Sequence, residues 1–441
     1  MNRVLCLFIV TVSGMVSQAQ TYTLEQAIDT ALASNIPVRQ NGLLVQTSQV
    51  YLNQARLNRL PYLTADVTHG IYNGRSIDPS SNGYVNQNLN SANYQLNSGF
   101  VLFNGGSIQS TVKQNEAAFE SSKLTWQQAK DNLVLNVILA YLQVLNNEDL
   151  LTSASNQAAV SQKQLDRLDI LNRQGAIKPS EYSDLKGQYM NDQLSIVSAK
   201  TALEESKLSL AQLMNKQYDK NMKLERIDVS EFLASYNASA ADLYKSALEQ
   251  FPLVKSVELQ TKSFAYGSKA ARGALFPTIS IGGGLNTNYS SIAQNAAGKI
   301  SYNNQLKNNV STSVGLGVSI PIFNRMQQRN RVKLADIQLK NSELEEEKTK
   351  TQLQQQVDQA YLNMTNAYDR YKVLVEQVAA YNESFKAAEV RYNAGVGTSI
   401  DYLTAKDRLD RANINLISAK YDFVLRKKVL DYYSNPTTLR Q

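Results

Sequence analysis

The chain has 441 residues, 45 Lys+Arg against 38 Asp+Glu, one histidine, one cysteine and a formal net charge of +7. The charges are interspersed, with no basic block or interleaved aromatic motif, which argues against nucleic-acid binding. One histidine and one cysteine supply no zinc or thiolate ligand set, and no run of about 18 apolar residues follows the first segment, so a transmembrane helix is excluded.

The N-terminus reads as a processing signal. Arg3 gives a positive start, Val4 to Val12 is a short apolar core, and Ser17 to Ala19 has the small-x-small form of a signal-peptidase site. A leader over residues 1–19 is therefore expected, cleaved after Ala19, and the chain is exported. Cys6 lies inside that leader. The mature chain then has no disulfide, and packing alone must hold it together.

A first helical stretch leads to a strand pattern at about 63–72. A loop rich in Asn, Ser and Gly follows, with turn composition and no period, so it is expected to be exposed. A second strand pattern covers about 94–103. Gly105 to Gln174 then carries no proline, and about 70 residues at roughly 1.5 Å each span about 105 Å. Gly175 is placed to end that helix in the left-handed conformation, and Ser180 to cap the returning one. Residues 216–238 form a seam, after which the order recurs. Strand patterns fall at about 278–289 and 310–320, a proline-free stretch runs from Arg325 to Ala394, Gly395 ends it, and Thr398 or Ser399 can cap the last helix. In that second half Val357, Tyr361, Met364, Tyr368, Tyr371, Val375 and Val378 recur in steps of four and three. Leu409, Ala412, Leu416, Ala419 and Phe423 do the same, the period of a coiled-coil seam.

The two halves match at an offset of 216 to 220. Ala-Arg-Leu-Asn-Arg-Leu-Pro ending at Pro61 meets Ala-Arg-Gly-Ala-Leu-Phe-Pro ending at Pro277; Ala140 to Leu142 and Ala360 to Leu362 are both Ala-Tyr-Leu. The division expected is a first repeat at 20–235 and a second at 236–441.

The strand at Val310 to Ile320 puts Val310, Thr312, Val314, Leu316, Val318 and Ile320 on one face and only Ser and Gly on the other. A half-buried strand of a soluble sheet has the same alternation. The uniformly small second face, and aromatics at the strand ends (Tyr62, Tyr72, Tyr94, Phe103, Tyr289 and Phe323), favour a membrane strand. A bilayer requires a closed barrel, and four strands are too few. Two copies would supply eight strands and three would supply twelve, the latter wide enough for a pore. At the strand-to-helix joints Pro321 lacks a ladder donor, Phe103 and Phe323 suit the membrane interface, and Asn104 and Asn324 can accept from a first-turn N–H.

Tyr22 to Asn35, Leu102 to Ser110, Pro321 to Arg329 and Arg391 to Leu409 resemble, in order and spacing, the opening helix, strand-to-helix signature and helical-tip motif of the TolC-like outer-membrane efflux family. The resemblance covers essentially the whole mature chain. It implies an α+β membrane protein in which a homotrimer pools four strands per chain into a 12-stranded barrel in a Gram-negative outer membrane. That barrel is continuous with a coiled-coil helical barrel crossing the periplasm. It implies a periplasmic adaptor at the helical tips, an inner-membrane RND or ABC pump, no cofactor and no catalysis of its own. It also implies acidic residues ringing the pore just beyond the second tip turn. Asp401 falls at the first such position, Thr404 stands where a second aspartate can occur, and Glu181 and Asp184 are their first-repeat counterparts. Tyr392 matches a tip tyrosine that helps hold the closed state, and Gly397 stands where an arginine can lock it.

Three copies of Asp401 on one axis would concentrate negative potential and favour cations. A carboxylate in the first turn of a helix is favourable in any case. The chain is no enzyme on its inventory. His69 sits within a strand pattern, and Gly282 to Gly284 opens no helix and makes no phosphate loop. Small-molecule efflux, type I protein secretion, and a structural or adhesive coiled-coil protein without a pore remain as readings.

Overall fold

The computed structural model describes residues 21–78, 82–86, 88–227 and 239–434. The leader expected over residues 1–19 lies outside the described residues, as does the seam after residue 227. In chain order the elements are β1 (Thr21–Tyr22), α1 (Leu24–Ser34), α2 (Ile36–Leu57), β2 (Tyr62–Tyr72), β3 (Arg75–Ile77), β4 (Tyr84–Asn86), β5 (Leu89–Phe103), α3 (Ser107–Arg173), α4 (Pro179–Leu213) and β6 (Lys223–Leu224). There follow α5 (Ala240–Gln250), α6 (Pro252–Gly273), β7 (Thr278–Ser290), β8 (Gln294–Asn295), β9 (Gly298–Lys299), α7 (Tyr302–Asn308), β10 (Ser311–Ser319), α8 (Gln327–Asn393) and α9 (Ser399–Ser434).

Element lengths recur between the halves. α1 and α5 have 11 residues each, α2 and α6 have 22, and α3 and α8 have 67. α1 begins at a capping box, in which the Thr23 hydroxyl accepts from the Gln26 N–H at 3.1 Å and the Gln26 side chain accepts from the Thr23 N–H at 3.2 Å. α5 begins at Ser239, whose hydroxyl accepts from the Asp242 N–H at 3.2 Å. Among the described residues no helix is long and apolar enough to cross a membrane.

The chain forms two compact units. The described residues of the strand-bearing unit are 41–78, 82–86, 88–126 and 252–350. Its antiparallel sheet has the order β10-β7-β5-β2. Register places Leu63 and Val67 of β2, Leu96 of β5, Ile281 and Leu285 of β7 and Val314, Leu316 and Val318 of β10 on one face. That face is bare: Val314 is 83% exposed, Leu63 69%, Val67 67% and Leu316 65%. The opposite face carries Ser280, Gly282, Gly284, Ser311, Ser313, Gly315 and Gly317. Three helix contacts pack beside the sheet. Leu52 and Ala55 of α2 meet Val112 of α3. Ser263 of α6 donates to the Gln114 carbonyl of α3 at 2.9 Å, and Thr261 of α6 donates to the Ser342 carbonyl of α8 at 3.2 Å. The helix row α2-α3-α6-α8 thus follows the strand row β2-β5-β7-β10.

β5 begins at Leu89, five residues before the expected 94, and β10 covers 311–319 rather than 310–320. The loops are exposed over most of their described residues, as expected, but they carry regular structure. β3 pairs with β4, β8 with β9, and α7 folds back on β7, so that Gln305 is 2% exposed. An amide with three partners is satisfied when buried, and composition alone does not reveal those partners.

The described residues of the helical unit are 21–40, 127–227, 239–251 and 351–434. Val137, Tyr141 and Val144 of α3, Leu210 of α4 and Phe423 and Leu430 of α9 are buried there. The seam of α8 differs from the expected one by one position at two places, with Ala367 buried instead of Tyr368 and Leu374 instead of Val375. Leu353, Val357, Met364, Ala367, Leu374 and Ala388 are buried, Val375 is exposed, and Tyr361 and Tyr368 are half-buried. The small Ala367 takes the inward position, and the larger Tyr368 lies beside it with its ring 5.3 Å from Phe423.

Candidate functional site

Both helical tips close through left-handed glycines. At the first, Gly175 has φ +69° and the Ala176 N–H donates back to the Leu171 carbonyl at 2.9 Å. At the second, Gly395 has φ +76° and the N–H groups of Val396 and Gly397 both donate to the Arg391 carbonyl at 3.1 Å. These bonds satisfy the last carbonyls of α3 and α8. Ser180 does not cap α4. The N-cap is Lys178 without a side-chain bond, and Pro179 occupies the first helical turn, where a missing N–H is tolerated. Thr398 does cap α9: its hydroxyl accepts from the Asp401 N–H at 3.1 Å and donates to Asp401 Oδ2 at 2.8 Å. Asp401 is exposed, and its carboxylate sits in the first turn of α9, where the helix dipole favours it.

Glu181 is half-buried in the first turn of α4, and Asp184 and Thr404 are exposed. A Cβ at Gly397 would meet the Tyr392 nitrogen at 3.1 Å and the Arg391 carbonyl carbon at 3.3 Å, so the turn is drawn tight around a glycine. Tyr392 stacks on Tyr402 at 5.1 Å; burial, with Glu181 nearby, pushes its phenol upward from the ordinary value. Tyr402 is 1% exposed among Leu165, Leu168 and Leu185, and its hydroxyl has no hydrogen-bond partner.

Two features escaped the sequence reading. Arg167 near the end of α3 donates to the Asn393 carbonyl at 2.9 Å and also to the Asn393 side chain, tying the two tips together. Higher up, Lys406 is 2% exposed; it donates to Asp192 Oδ2 at 3.0 Å and to Asp410 Oδ2 at 2.6 Å. Asp192 also accepts from Ser161 at 2.5 Å and from Gln188 at 2.8 Å. Burial pushes the Asp410 carboxyl above its usual range, against the pull of Lys406. Lys406 follows the buried Tyr402 by four residues, so a charge at a seam spacing was the signal available in the sequence.

The joints are more elaborate than a strand running directly into a helix. After Phe103, the Asn104 side chain accepts from the Ile108 N–H at 3.3 Å. Gly105 and Gly106 between them have φ +63° and +76°. After Pro321 and Phe323, the backbone carbonyl of Asn324 accepts from the Gln327 N–H at 3.1 Å. Here Arg325 and Met326 take φ +54° and +62°. Phe323 is 75% exposed beside the apolar sheet face, as is Phe103 at 45%.

A sheet with a bare apolar face, leading through such joints into 67-residue helices, defines a membrane-strand protein with a helical extension. The family model for outer membrane efflux proteins matches residues 27–216 and 243–430, and the chain belongs to that family. It is 24% identical over 420 residues to the outer membrane protein TolC of Escherichia coli (strain K12), covering 95% of this chain and 83% of that protein. It is 21% identical over 432 residues to the outer membrane efflux protein BepC of Brucella suis, covering 96% and 88%. The solved structure of VceC from Vibrio cholerae superposes with a TM-score of 0.79 at 13% identity, covering 93% of this chain and 96% of that one. This is an outer-membrane protein of the efflux-channel class, with its helical part on the periplasmic side.

Proposed function

We propose that three copies of this chain pool their strands into one twelve-stranded barrel. Their helices continue as a tunnel across the periplasm, through which small molecules leave the cell. The observation that carries this reading is the open sheet. Among the described residues β2 and β10 each have one unpaired edge beneath an apolar face, and a bilayer leaves no backbone donor unpaired. The helix row ends in the same way. Leu43, Leu44 and Val50 of α2 and Leu334, Ile337 and Leu344 of α8 are all exposed. Matched element lengths and a family model that fits two stretches support a duplicated unit, 20–235 and 236–441. By that duplication Leu57 and Leu60 are the counterparts of Gly273 and Phe276, which pack on Gly105. Leu57 and Leu60 are exposed, as a contact made by the next copy requires.

The chain itself is a passive conduit. An adaptor at the tips and an inner-membrane RND or ABC pump supply the energy. The family description favours efflux over protein secretion. In planar bilayers the purified protein should give discrete conductance steps, and its native mass should be three chains. A folded trimer without steps would leave the rival reading, a structural coiled-coil protein.

Among the proposed gate residues (Gly175, Glu181, Asp184, Tyr392, Gly395, Gly397, Asp401 and Thr404), Asp401 carries the selectivity. Asp401→Ala should shift the reversal potential in a salt gradient toward zero, because a ring of three carboxylates at a constriction favours cations. An unchanged reversal potential would leave Asp401 as a helix cap alone.

A further inference from the structure

α7 lies on the outward face of the sheet. Tyr94, Thr287 and Tyr289 share that face with Leu96, Ile281 and Leu285 by register. The Tyr302 ring packs 4.7 Å from Tyr289, its hydroxyl pairs with that of Tyr94, and Thr287 donates to the Leu306 carbonyl at 2.8 Å. Gln305 fastens the helix to the strand end. Its Oε1 accepts from the Ser290 N–H at 2.8 Å, and its Nε2 donates to the carbonyls of Ser290 and Ile300 at 2.9 Å.

The level of this contact follows from the strand. From Ile279 to Tyr289 is about 33 Å along β7, or about 25 Å along the membrane normal at a ~40° tilt, the height of a barrel's apolar band. Tyr289 therefore stands at the rim farther from the helices. The outward face becomes mixed there: His69 bonds Asn90 at 2.5 Å and Thr287 follows Leu285, while Ile71 at the end of β2 is apolar and 75% exposed. α7 turns Asn303, Asn304, Lys307 and Asn308 outward, all exposed and none apolar. Such a surface cannot sit among acyl chains, yet its other side is seated on the membrane face of the barrel.

We propose that α7 is a lipid-contact element lying in the headgroup layer of the outer leaflet, with its tyrosines at the acyl boundary and its amide and lysine side facing headgroups. This rests on the membrane-barrel reading. The test uses the full-length channel in phosphatidylcholine vesicles brominated either near the carbonyl end or near the chain terminus of the acyl chains. Trp126, the single tryptophan, is replaced by Phe. One new tryptophan is then placed at Tyr302, at Asn304, or at Leu316 in the middle of the apolar face. Tyr302→Trp should be quenched about two-fold or more better by the shallow bromines, and Leu316→Trp by the deep ones. Asn304→Trp alters no strand contact and should follow Tyr302→Trp. If both α7 tryptophans escape quenching while Leu316→Trp is quenched, α7 lies in water and the inference fails with the barrel reading intact. Stronger quenching of the α7 tryptophans by deep bromines would also overturn the headgroup placement. An unquenched Leu316→Trp would overturn the membrane reading itself.

Discussion

Lys406→Met is expected to destabilise the helical unit by about 3–5 kcal/mol, the usual result of removing one partner from a buried ion cluster. Lys406 is 2% and Asp192 5% exposed, and the lysine is the cation within 3.0 Å of both Asp192 and Asp410. The replacement preserves volume and leaves two carboxylates facing each other in a desolvated site. The loss should depend on pH with a definite sign. The folded Asp410 carboxyl already titrates above its ordinary value because burial disfavours the charged form. Without Lys406 that shift grows. A carboxyl raised in the fold binds its proton more tightly there than in the unfolded chain, so its penalty is full at neutral pH and vanishes as pH falls toward about 3.9. Chemical denaturation followed by helical circular dichroism should therefore show the largest gap between variant and parent near pH 7 and a smaller one near pH 5. Adding Asp410→Asn to Lys406→Met should return part of the loss. An unfolding midpoint unchanged at pH 7 would show that the cluster contributes nothing to stability.

Gly105→Ala should destabilise the first joint by about 2–4 kcal/mol, and Gly106→Ala by about 1 kcal/mol. Both glycines have positive φ, so both substitutions meet the left-handed penalty. Only at Gly105 would the new Cβ also lie 2.3 Å from the Gly273 carbonyl oxygen and 2.8 Å from Phe276 Cβ, so the end of α6 must move away from the start of α3. At Gly106 nothing lies within 4 Å. The second joint carries the same backbone on Arg325 and Met326. Arg325→Gly should accordingly stabilise by up to about 1 kcal/mol. Thermal unfolding of the three variants reads all three effects. Equal losses at Gly105 and Gly106 would mean that the close approach of α6 and α3 is not a constraint.

The joints show why the sequence was legible only in part. Leu102 to Asn104 and Ile322 to Asn324 marked both of them, because Leu-Phe-Asn and Ile-Phe-Asn recur at a constant offset. The two left-handed residues after each asparagine were legible at Gly105 and Gly106, which favour that backbone, and illegible at Arg325 and Met326, which do not. Steps of four and three place Tyr368 and Val375 in the α8 seam. Ala367 and Leu374 are the buried ones, because the approach of neighbouring helices decides between adjacent positions that periodicity leaves nearly equivalent.

The sequence by itself determined the four long strands and the long helices. Alternation, strict in β10, marked the strands, proline-free stretches made the 67-residue helices, and Gly175 and Gly395 ended them. These are local matters of period and backbone freedom, and a few residues are enough to state them. Only the tertiary structure decided which groups met. Asp192, Lys406 and Asp410 are spread over 218 residues, and Arg167 meets a residue 226 positions away. α7 was hidden in a stretch of loop composition, because its place depends on Gln305 finding the backbone of Ser290 and on Tyr302 finding Tyr94 and Tyr289. Long-range pairing of polar groups depends on where the chain brings them, and no period in the sequence records it.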